Sequence, residues 1–311
     1  MSTLAQETRD AVTTALEAKF LGQMVGSETD QPGRLTGAEL LRIVERHDTP
    51  NDKSKKHILL PLPGMPEEWK DKRPSQQRGE PLELEIVNKR YATPTERVNF
   101  RASRVEGIIH QYGNIIAMHA MRMRQHRERL IMDVLNYGFT SLAADGQFFF
   151  DTDHAWGNSG SQDNKSTAAF SETELEAMLS HFMGFVDNEG EPMGLWPDLL
   201  IVSKEAYFDA NKLIASAEMR DTTANTRYGT SNPHHNIIEV RWSPYVDPDN
   251  FYGLVTSLPL KPVRLQIELE PVFESDDKEW FDEEVMKYGA KKYEGAGNGY
   301  SELAYGSTGG S

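Results

Sequence analysis

Apolar residues recur at steps of three and four positions from Ile108 to Asn136, and this pattern predicts one amphipathic helix. The segment contains no proline, and Tyr137-Gly138 follows it as a stop signal. At 1.5 Å per residue the helix would be about 43 Å long, well beyond the usual helix length. It could form a coiled-coil arm or the spine of a broad subunit. The spine is favoured because the apolar pattern is not a strict heptad and because four arginines crowd its middle, namely Arg122, Arg124, Arg127 and Arg129.

The first 57 residues are interpreted as an N-terminal arm. Loosely spaced apolar residues predict a helix over residues 4–22. A second helix is expected from Thr36 to His47, where Thr36 and Glu39 have the spacing of a capping box. The segments 22–33 and 48–56 are polar and typical of flexible connections.

Residues 58–100 have the pattern of a long, hairpin-like ribbon. Apolar and polar residues alternate from Leu82 to Ile86, and a second extended run follows at Val98–Phe100. An isolated two-stranded ribbon is only marginally stable in water, so this one must lie on something else. Another subunit is the simplest candidate. The ribbon residues expected to contact it are Trp69, Lys70, Arg73, Leu82, Leu84 and Ile86.

A compact α/β pattern begins at Ser171, which pairs with Glu174 as a second capping box. An apolar helical stripe follows, and the later elements are strands over 199–202, 237–242 and 251–255 and a helix over 204–216. The long polar loop Met219–Asn236 should bind something or lie at a rim. Arg227 and Tyr228 in this loop are further candidates for contact between subunits.

After residue 258 the chain is expected to return to the sheet that packs on the spine. Apolar and polar residues alternate from Val263 to Glu270, and further extended segments follow the acidic turn 275–277. Glycine and serine dominate the last seventeen residues, which predicts a polar tail that is ordered only if something holds it.

The composition narrows the classes of function. With 311 residues, 38% of them hydrophobic, the chain can form one or two packed cores. It shows neither a membrane-spanning run nor a signal peptide, so a cytoplasmic protein is expected. The absence of cysteine excludes disulfides, thiolate nucleophiles and cysteine-ligated metals. A net charge of −15 argues against a surface dedicated to binding nucleic acid.

Asp151, Asp153 and His154 form the cluster with the clearest metal-ligand character. Phe148–Phe150 before them predict a short buried strand, on which Asp153 and His154 would point in opposite directions. A structural role at a strand end is therefore favoured, and metal occupancy is left open. His234-His235 is interpreted as part of a solvated loop.

The sequence predicts no catalytic residue, no cofactor and no metal site. It has no nucleophile elbow, no phosphate-binding loop and no dinucleotide fingerprint. The glycine-rich run 295–299 has no helix after it, which disfavours a phosphate cradle.

The basic segment 122–129 has two interpretations. Helical geometry spreads its arginines over more than half of the circumference. They could form a solvated face with ion pairs to acidic residues elsewhere in the chain. Alternatively, Arg122, Arg124 and Arg127 could contact a neighbouring subunit or a packaged polyanion.

Four motifs resemble the major head subunits of Mu-like bacteriophages and occur in the same order. They cover roughly residues 65–311 and include Asn136-Tyr137-Gly138-Phe139, the segment Asp145–His154, Pro197–Ser203 and the ending Gly297–Gly309. The resemblance is thin over the first sixty residues.

The resemblance implies an α+β protein with the Hong Kong 97-type phage capsid fold. The parts of that fold would be an N-terminal arm at 1–57, an extended β-loop at 58–100, a peripheral domain at 101–170 and 258–311 with the long spine helix at 108–136, and an axial α/β domain at 171–257.

The resemblance also implies a non-enzymatic major capsid (head) protein that self-assembles into an icosahedral shell around the double-stranded DNA genome of a tailed bacteriophage. Its subunits would form pentamers and hexamers, without sequence-specific DNA contact or membrane association. Scaffold, protease, portal and decoration proteins are the expected partners. The shell would assemble in the bacterial host cytoplasm. Lys70 and Lys72 lie in the ribbon, but nothing in the sequence predicts the covalent cross-link known in some relatives.

Two alternatives remain at this point. One is the shell protein of an encapsulin-like nanocompartment, which has the same architecture. The other is a metal-dependent hydrolase that uses Asp151, Asp153 and His154.

Overall fold

The computed structural model describes residues 3–25, 31–61, 81–100, 105–155, 159–219 and 230–310. Its helices are α1 Thr3–Val25, α2 Gly37–Ile43, α3 Val105–Asn136, α4 Glu172–Gly184, α5 Tyr207–Ala215 and α6 Trp280–Glu283. Its strands are β1 Val44–Asp48, β2 Ser54–Leu59, β3 Leu82–Val87, β4 Lys89–Ala92, β5 Glu96–Asn99, β6 Lys165–Ser166, β7 Leu199–Val202, β8 Glu218–Met219, β9 Thr230–Ser231, β10 Glu239–Trp242, β11 Phe251–Leu254, β12 Val263–Asp276, β13 Val285–Asn298 and β14 Ala304–Ser307. Across these ranges, no helix combines the length and the apolar character needed to span a membrane.

The first sheet is built on two long antiparallel strands, β12 and β13, of 14 residues each. β1 pairs in parallel with β12 at one edge. On the other side, β4 and β5 pair with different parts of β13. The long hairpin of β12 and β13 is therefore the frame that the other strands of this sheet join.

The second sheet has the order β10-β7-β11-β14-β6, and its strand β7 separates two cores. All four β7 residues are buried, and their side chains alternate between the two faces. Leu200 and Val202 belong to the core that includes residues of α4 and α5. Leu199 and Ile201 belong to a core with the C-terminal part of α3. Burial on both faces explains why this strand is apolar at every position.

The long helix α3 is present and begins slightly before the predicted residue 108. Its N-terminal half shares a core with α1, in which Leu16 and Phe20 contact the cluster that contains Ile116. The helix ends before Gly138, where a Cβ atom would lie 2.8 Å from the Phe150 ring. The predicted arm helix α1 thus packs along the spine of its own chain.

The helix predicted from Thr36 to His47 is shorter than expected. Its capping box is confirmed, since the Thr36 hydroxyl accepts from Glu39 N and the Glu39 carboxylate accepts from Thr36 N. The helix ends at Ile43, however, and Val44 starts a strand paired with Val263 of β12. Pairing with the sheet therefore overrides local helical periodicity at these residues. The connection predicted at 48–56 is also shorter than expected, because β1 includes Asp48 and β2 begins at Ser54.

The three aromatic residues 148–150 do not form the predicted strand, although Phe149 and Phe150 are fully buried. Their backbone amides instead donate to loop carbonyls, Phe149 N to Ser141 O and Phe150 N to Gly138 O. The aromatic run therefore packs beneath the end of the spine as an irregular turn.

The C-terminal segment is ordered within the second sheet, where β14 lies between β11 and β6. Tyr305 is buried, and its hydroxyl donates to Glu174 Oε1 at 3.1 Å. Ser171 still caps α4 by accepting from Glu174 N. The sheet of the predicted axial domain thus takes a strand from the range 258–311, which the sequence analysis assigned to the peripheral domain.

Candidate assembly surface

Strands β2 and β3 form the base of the predicted ribbon, and they pair antiparallel from Ser54 with Val87 to Leu59 with Leu82. One face of this base packs on its own chain. Ile86 is only 3% exposed, and Leu82 and Leu84 pack against the core that includes α4. Part of the ribbon is therefore covered without a neighbouring subunit. The contact with a neighbour that the sequence assigned to these three side chains stays a prediction.

Two glycines of β13 make room for this inward face. A Cβ atom at Gly297 would lie 2.8 Å from Ile86 Cγ1, and one at Gly295 would lie 2.6 Å from the Val87 carbonyl oxygen. Neither distance is compatible with ordinary van der Waals contact. The glycine-rich run 295–299 thus forms the surface on which β3 packs.

The opposite face of the ribbon base exposes both charged and apolar side chains. Ile58 is 56% exposed, Leu60 52% and Val87 54%. Successive residues of a strand point to opposite faces, so these side chains lie away from Ile86 and Leu84. The sequence pattern identified an apolar face but could not show which side the chain itself would cover.

The spine charges are organised around Glu294 of β13, which is completely buried. Arg127 Nε donates to Glu294 Oε2 at 2.9 Å, and Arg127 Nη2 donates to Glu270 Oε2 at 2.7 Å. Lys292, also fully buried, forms an ion pair with Glu294 and donates to Met123 O at 2.9 Å. The cluster therefore joins the spine to both long strands of the first sheet.

Burial by itself raises the pKa of Glu294. The nearby His126 ring and the positive charges of Lys292 and Arg127 outweigh burial and lower the pKa to about 2. Glu294 is therefore ionised at any ordinary pH, and its charge is compensated inside the subunit.

The three predicted contact arginines of the spine have different environments. Arg127 is engaged with carboxylates of its own chain, as the first interpretation of the basic segment expects. Arg122 is exposed and donates to Gln125 Oε1 at 3.0 Å. Arg124 is half-buried. Contact with a neighbour through these residues stays a prediction.

Glu128 is a fully buried spine residue that lies within the basic segment. Its carboxylate accepts from Arg34 Nη2 at 2.9 Å and from Ser243 Oγ at 2.7 Å. These bonds join the spine to the segment before α2 and to the end of β10. A lone glutamate within a basic run could have signalled such a role, but its partners are distant in sequence.

The side chains of Asp151, Asp153 and His154 do not converge on one point. His154 Nδ1 bonds to Asp145 Oδ2 at 2.6 Å. Asp151 accepts from the backbone amides of residues 148 and 152, and Asp153 accepts from the Gln147 side chain. The arrangement is a structural turn, as the favoured interpretation expected, and it offers no common ion position.

The Asp145–His154 pair is nevertheless electrostatically coupled. Burial would lower the pKa of His154, but the hydrogen bond and charge of Asp145 outweigh it and raise that pKa. Burial would raise the pKa of Asp145, yet His154 and backbone amides lower it. Both pKa shifts favour the charged form of the group, so Asp145 and His154 form an imidazolium–carboxylate ion pair.

The remaining contact candidates lie outside the described residues, namely Trp69, Lys70, Arg73, Arg227 and Tyr228. The hairpin β8–β9 encloses the part of the predicted rim loop that contains the last two.

Residues 49–172 match the family described as Mu-like prophage major head subunit gpT. This segment, 124 of the 311 residues, is similar to that family of major head subunits. The matched range includes the ribbon, the spine and the Asp145–His154 segment, which carried the resemblance in the sequence. No curated protein sequence matches this chain.

Solved structures with a fold similar to this chain include phage capsids. The procapsid of bacteriophage JBD30 has a TM-score of 0.53 at 18% identity, covering 96% of this chain and 74% of that chain. The mature capsid of bacteriophage PhiM1 has a TM-score of 0.51 at 10% identity, covering 91% and 90%. The capsid of Cyanophage P-SCSP1u has a TM-score of 0.50 at 11% identity, covering 91% and 90%. The predicted Hong Kong 97-type fold is confirmed.

Proposed function

We propose that this chain is a major head subunit and that its copies self-assemble into a closed icosahedral shell that encloses the double-stranded DNA of a tailed phage. The family match and the capsid fold support this proposal. The observation that carries it within the molecule is the exposure of three apolar side chains at the ribbon base, namely Ile58, Leu60 and Val87. A partner that covers these side chains would remove them from water and so favour assembly.

Further exposed apolar side chains lie in the predicted peripheral domain and in the predicted axial domain. Tyr137, at the end of the spine, is 64% exposed, and Phe208 on α5 is 75% exposed. We infer that the ribbon lies over an adjacent subunit. We also infer that the axial domains meet around the five-fold and six-fold axes as pentamers and hexamers. Each contact can be modest, because closure holds every subunit at several places.

The net charge of −15 suits a container for DNA. A mildly acidic lining would let the double helix slide during filling, whereas a basic lining would hold it through counterion release. Binding to DNA is therefore expected to be independent of sequence. The subunit would act without enzymatic turnover and would reside in the virion capsid.

We further infer that assembly occurs in the bacterial host cytoplasm with scaffold, protease and portal proteins. A related JBD30 capsid is decorated with minor capsid protein trimers. A comparable decoration protein on this shell is part of the proposal.

Electron microscopy of the purified full-length chain tests shell formation directly. The expected result is closed particles of uniform size, and particles from infected cells should contain nuclease-protected DNA. Protein cargo in place of protected DNA would instead indicate a nanocompartment. A chain that remains monomeric at high concentration, as judged by sedimentation, would overturn the proposal.

A further inference from the structure

Three potential metal ligands converge at the start of α4. Glu172 and Glu176 lie one helical turn apart, and His234 comes from the segment after β9. His234 Nε2 is 3.4 Å from Glu172 Oε1 and 3.3 Å from Glu176 Oε1. All three candidate ligand atoms lie within 4.8 Å of one another. Two elements distant in sequence therefore bring an imidazole and two carboxylates together.

The imidazole is buried and held in place. His234 is only 6% exposed, and its Nε2 atom has no hydrogen-bond partner within the described residues. The turn that carries it is fixed by Asn232, whose side-chain amide donates to Leu213 O and Ser216 O. Asn232 Oδ1 also accepts from His234 N at 2.9 Å. A polar atom without a partner therefore faces the two carboxylates from a rigid support.

The carboxylates need a compensating charge. Like charges four residues apart on a helix repel each other. The positive end of the helix dipole favours Glu172, but Glu176 lies beyond the first turn, where this effect is weak. Their side chains are 46% and 60% exposed, which leaves an open path from solvent to the imidazole. A cation between the three groups would remove the repulsion and satisfy Nε2.

The spacing also fits a particular class of ion. Ligand bonds of about 2.0–2.1 Å arranged as a tetrahedron place the ligand atoms about 3.4 Å apart. The two distances from His234 Nε2 are 3.4 and 3.3 Å, and the two carboxylate oxygens lie within 4.8 Å of each other. An imidazole nitrogen suits zinc and related transition metals, whereas Mg²⁺ and Ca²⁺ prefer oxygen ligands alone.

We propose that Glu172, Glu176 and His234 form a binding site for a divalent transition-metal ion, with Zn²⁺ as the best fit. Water would occupy the fourth position. The ion would join α4 to the turn that follows the β8–β9 hairpin. Such a site is a property additional to shell formation. The ion would stabilise the loop Met219–Asn236, which the sequence analysis predicts to lie at a rim.

Calorimetric titration of Zn²⁺ into the chelator-treated full-length protein tests the site. One ion per chain should bind, and Glu176→Gln and His234→Ala should each weaken the affinity at least about tenfold. Glu191→Gln is the matched control, because it removes the same charge from an exposed side chain outside the cluster. Co²⁺ in place of Zn²⁺ should give the visible absorption of a four-coordinate site, and both ligand variants should lose it.

Circular dichroism without metal establishes that each variant is folded, and the exposed Glu176→Gln change provides a test even if His234→Ala fails to fold. The proposal is overturned if the wild-type chain binds no Zn²⁺. It is equally overturned if Glu176→Gln and Glu191→Gln bind the ion as tightly as the wild type. The titration counts ions per chain, so its outcome does not depend on whether shells form.

Discussion

Arg127 Nε lies 2.9 Å from Glu294 Oε2, so a side chain of the spine neutralises a carboxylate that is wholly buried in the first sheet. The Arg127 side chain is 22% exposed. This contact supports the first interpretation of the basic segment, in which its arginines form ion pairs with acidic residues of the same chain.

Arg127→Ala should destabilise the subunit by about 2–3 kcal/mol, because Glu294 would keep only part of its compensation in a buried position. Arg122→Ala is the matched control, with an expected change within about 0.5 kcal/mol, because Arg122 is exposed and forms a local hydrogen bond to Gln125. Urea denaturation of dissociated subunits measures both. Equal midpoints for the two variants would contradict a structural role for Arg127.

Lowering the pH should weaken the ion-pair cluster around Glu294. The folded pKa of Glu294 is lowered to about 2 from an ordinary value of 4.5. A lowered pKa contributes stability that is complete above the unfolded value and disappears as pH falls through the folded value. Unfolding free energy should therefore fall between about pH 4.5 and pH 2, and this fall should be smaller in Glu294→Gln. A wild-type profile identical to that of the variant would refute the assignment.

Raising the pH should weaken the ion pair between Asp145 and His154. The pKa of His154 is raised above 6.5, chiefly because Asp145 outweighs the effect of burial. The resulting stability is complete below pH 6.5 and is lost as pH rises through the folded pKa. The melting temperature should therefore fall from pH 6.5 upwards, and Asp145→Asn should flatten this fall while costing about 1–2 kcal/mol at the acid end. Thermal melts of both proteins across this range measure the difference, and parallel profiles would exclude the pair as its source.

The sequence predicted elements whose signals are local. The spine was predictable because its apolar spacing persists from Ile108 to Asn136, and the α2 capping box was predictable because Thr36 and Glu39 lie within one turn. The fold family also followed from motifs near Asp145 and at the C-terminus. None of these inferences requires knowledge of a partner distant in sequence.

The elements that were missed depend on long-range pairing. Val44 becomes a strand residue because β12, more than two hundred positions away, offers an edge to it. His234 was interpreted as solvated, yet it is buried against α4. Asn164, buried among the carbonyls of residues 149, 301 and 304, gave no signal at all. Periodicity reports which faces are apolar but not what covers them.

The glycines beneath the ribbon base provide a test of how that base is held. Gly297→Ala should destabilise the subunit by about 1–3 kcal/mol, because the new methyl group meets the Ile86 side chain. Ile86→Ala should relieve this clash, so the double variant should show a favourable coupling of about 1 kcal/mol. Gly295→Ala is the contrasting case, since its methyl group would lie 2.6 Å from the Val87 carbonyl oxygen and 3.1 Å from Ile86 Cγ2. Ile86→Ala should therefore rescue it less than it rescues Gly297→Ala, because the closer contact is with the backbone. Melting temperatures of the full set decide the matter, and equal rescue at both glycines would contradict the described packing.

The exposed face of the ribbon base should be needed for assembly but not for folding. Ile58→Lys with Val87→Lys places two charges where apolar side chains are 56% and 54% exposed, so the subunit itself should lose less than about 1 kcal/mol. Shell yield should fall at least about tenfold, because each weakened contact recurs around the closed particle. Ile58→Leu with Val87→Ile keeps the face apolar and should assemble normally. Particle counts by electron microscopy, read beside subunit melting temperatures, separate the two effects. Normal shells from the lysine variant would show that this face lies outside the assembly interface and that the apolar contacts between subunits are made elsewhere.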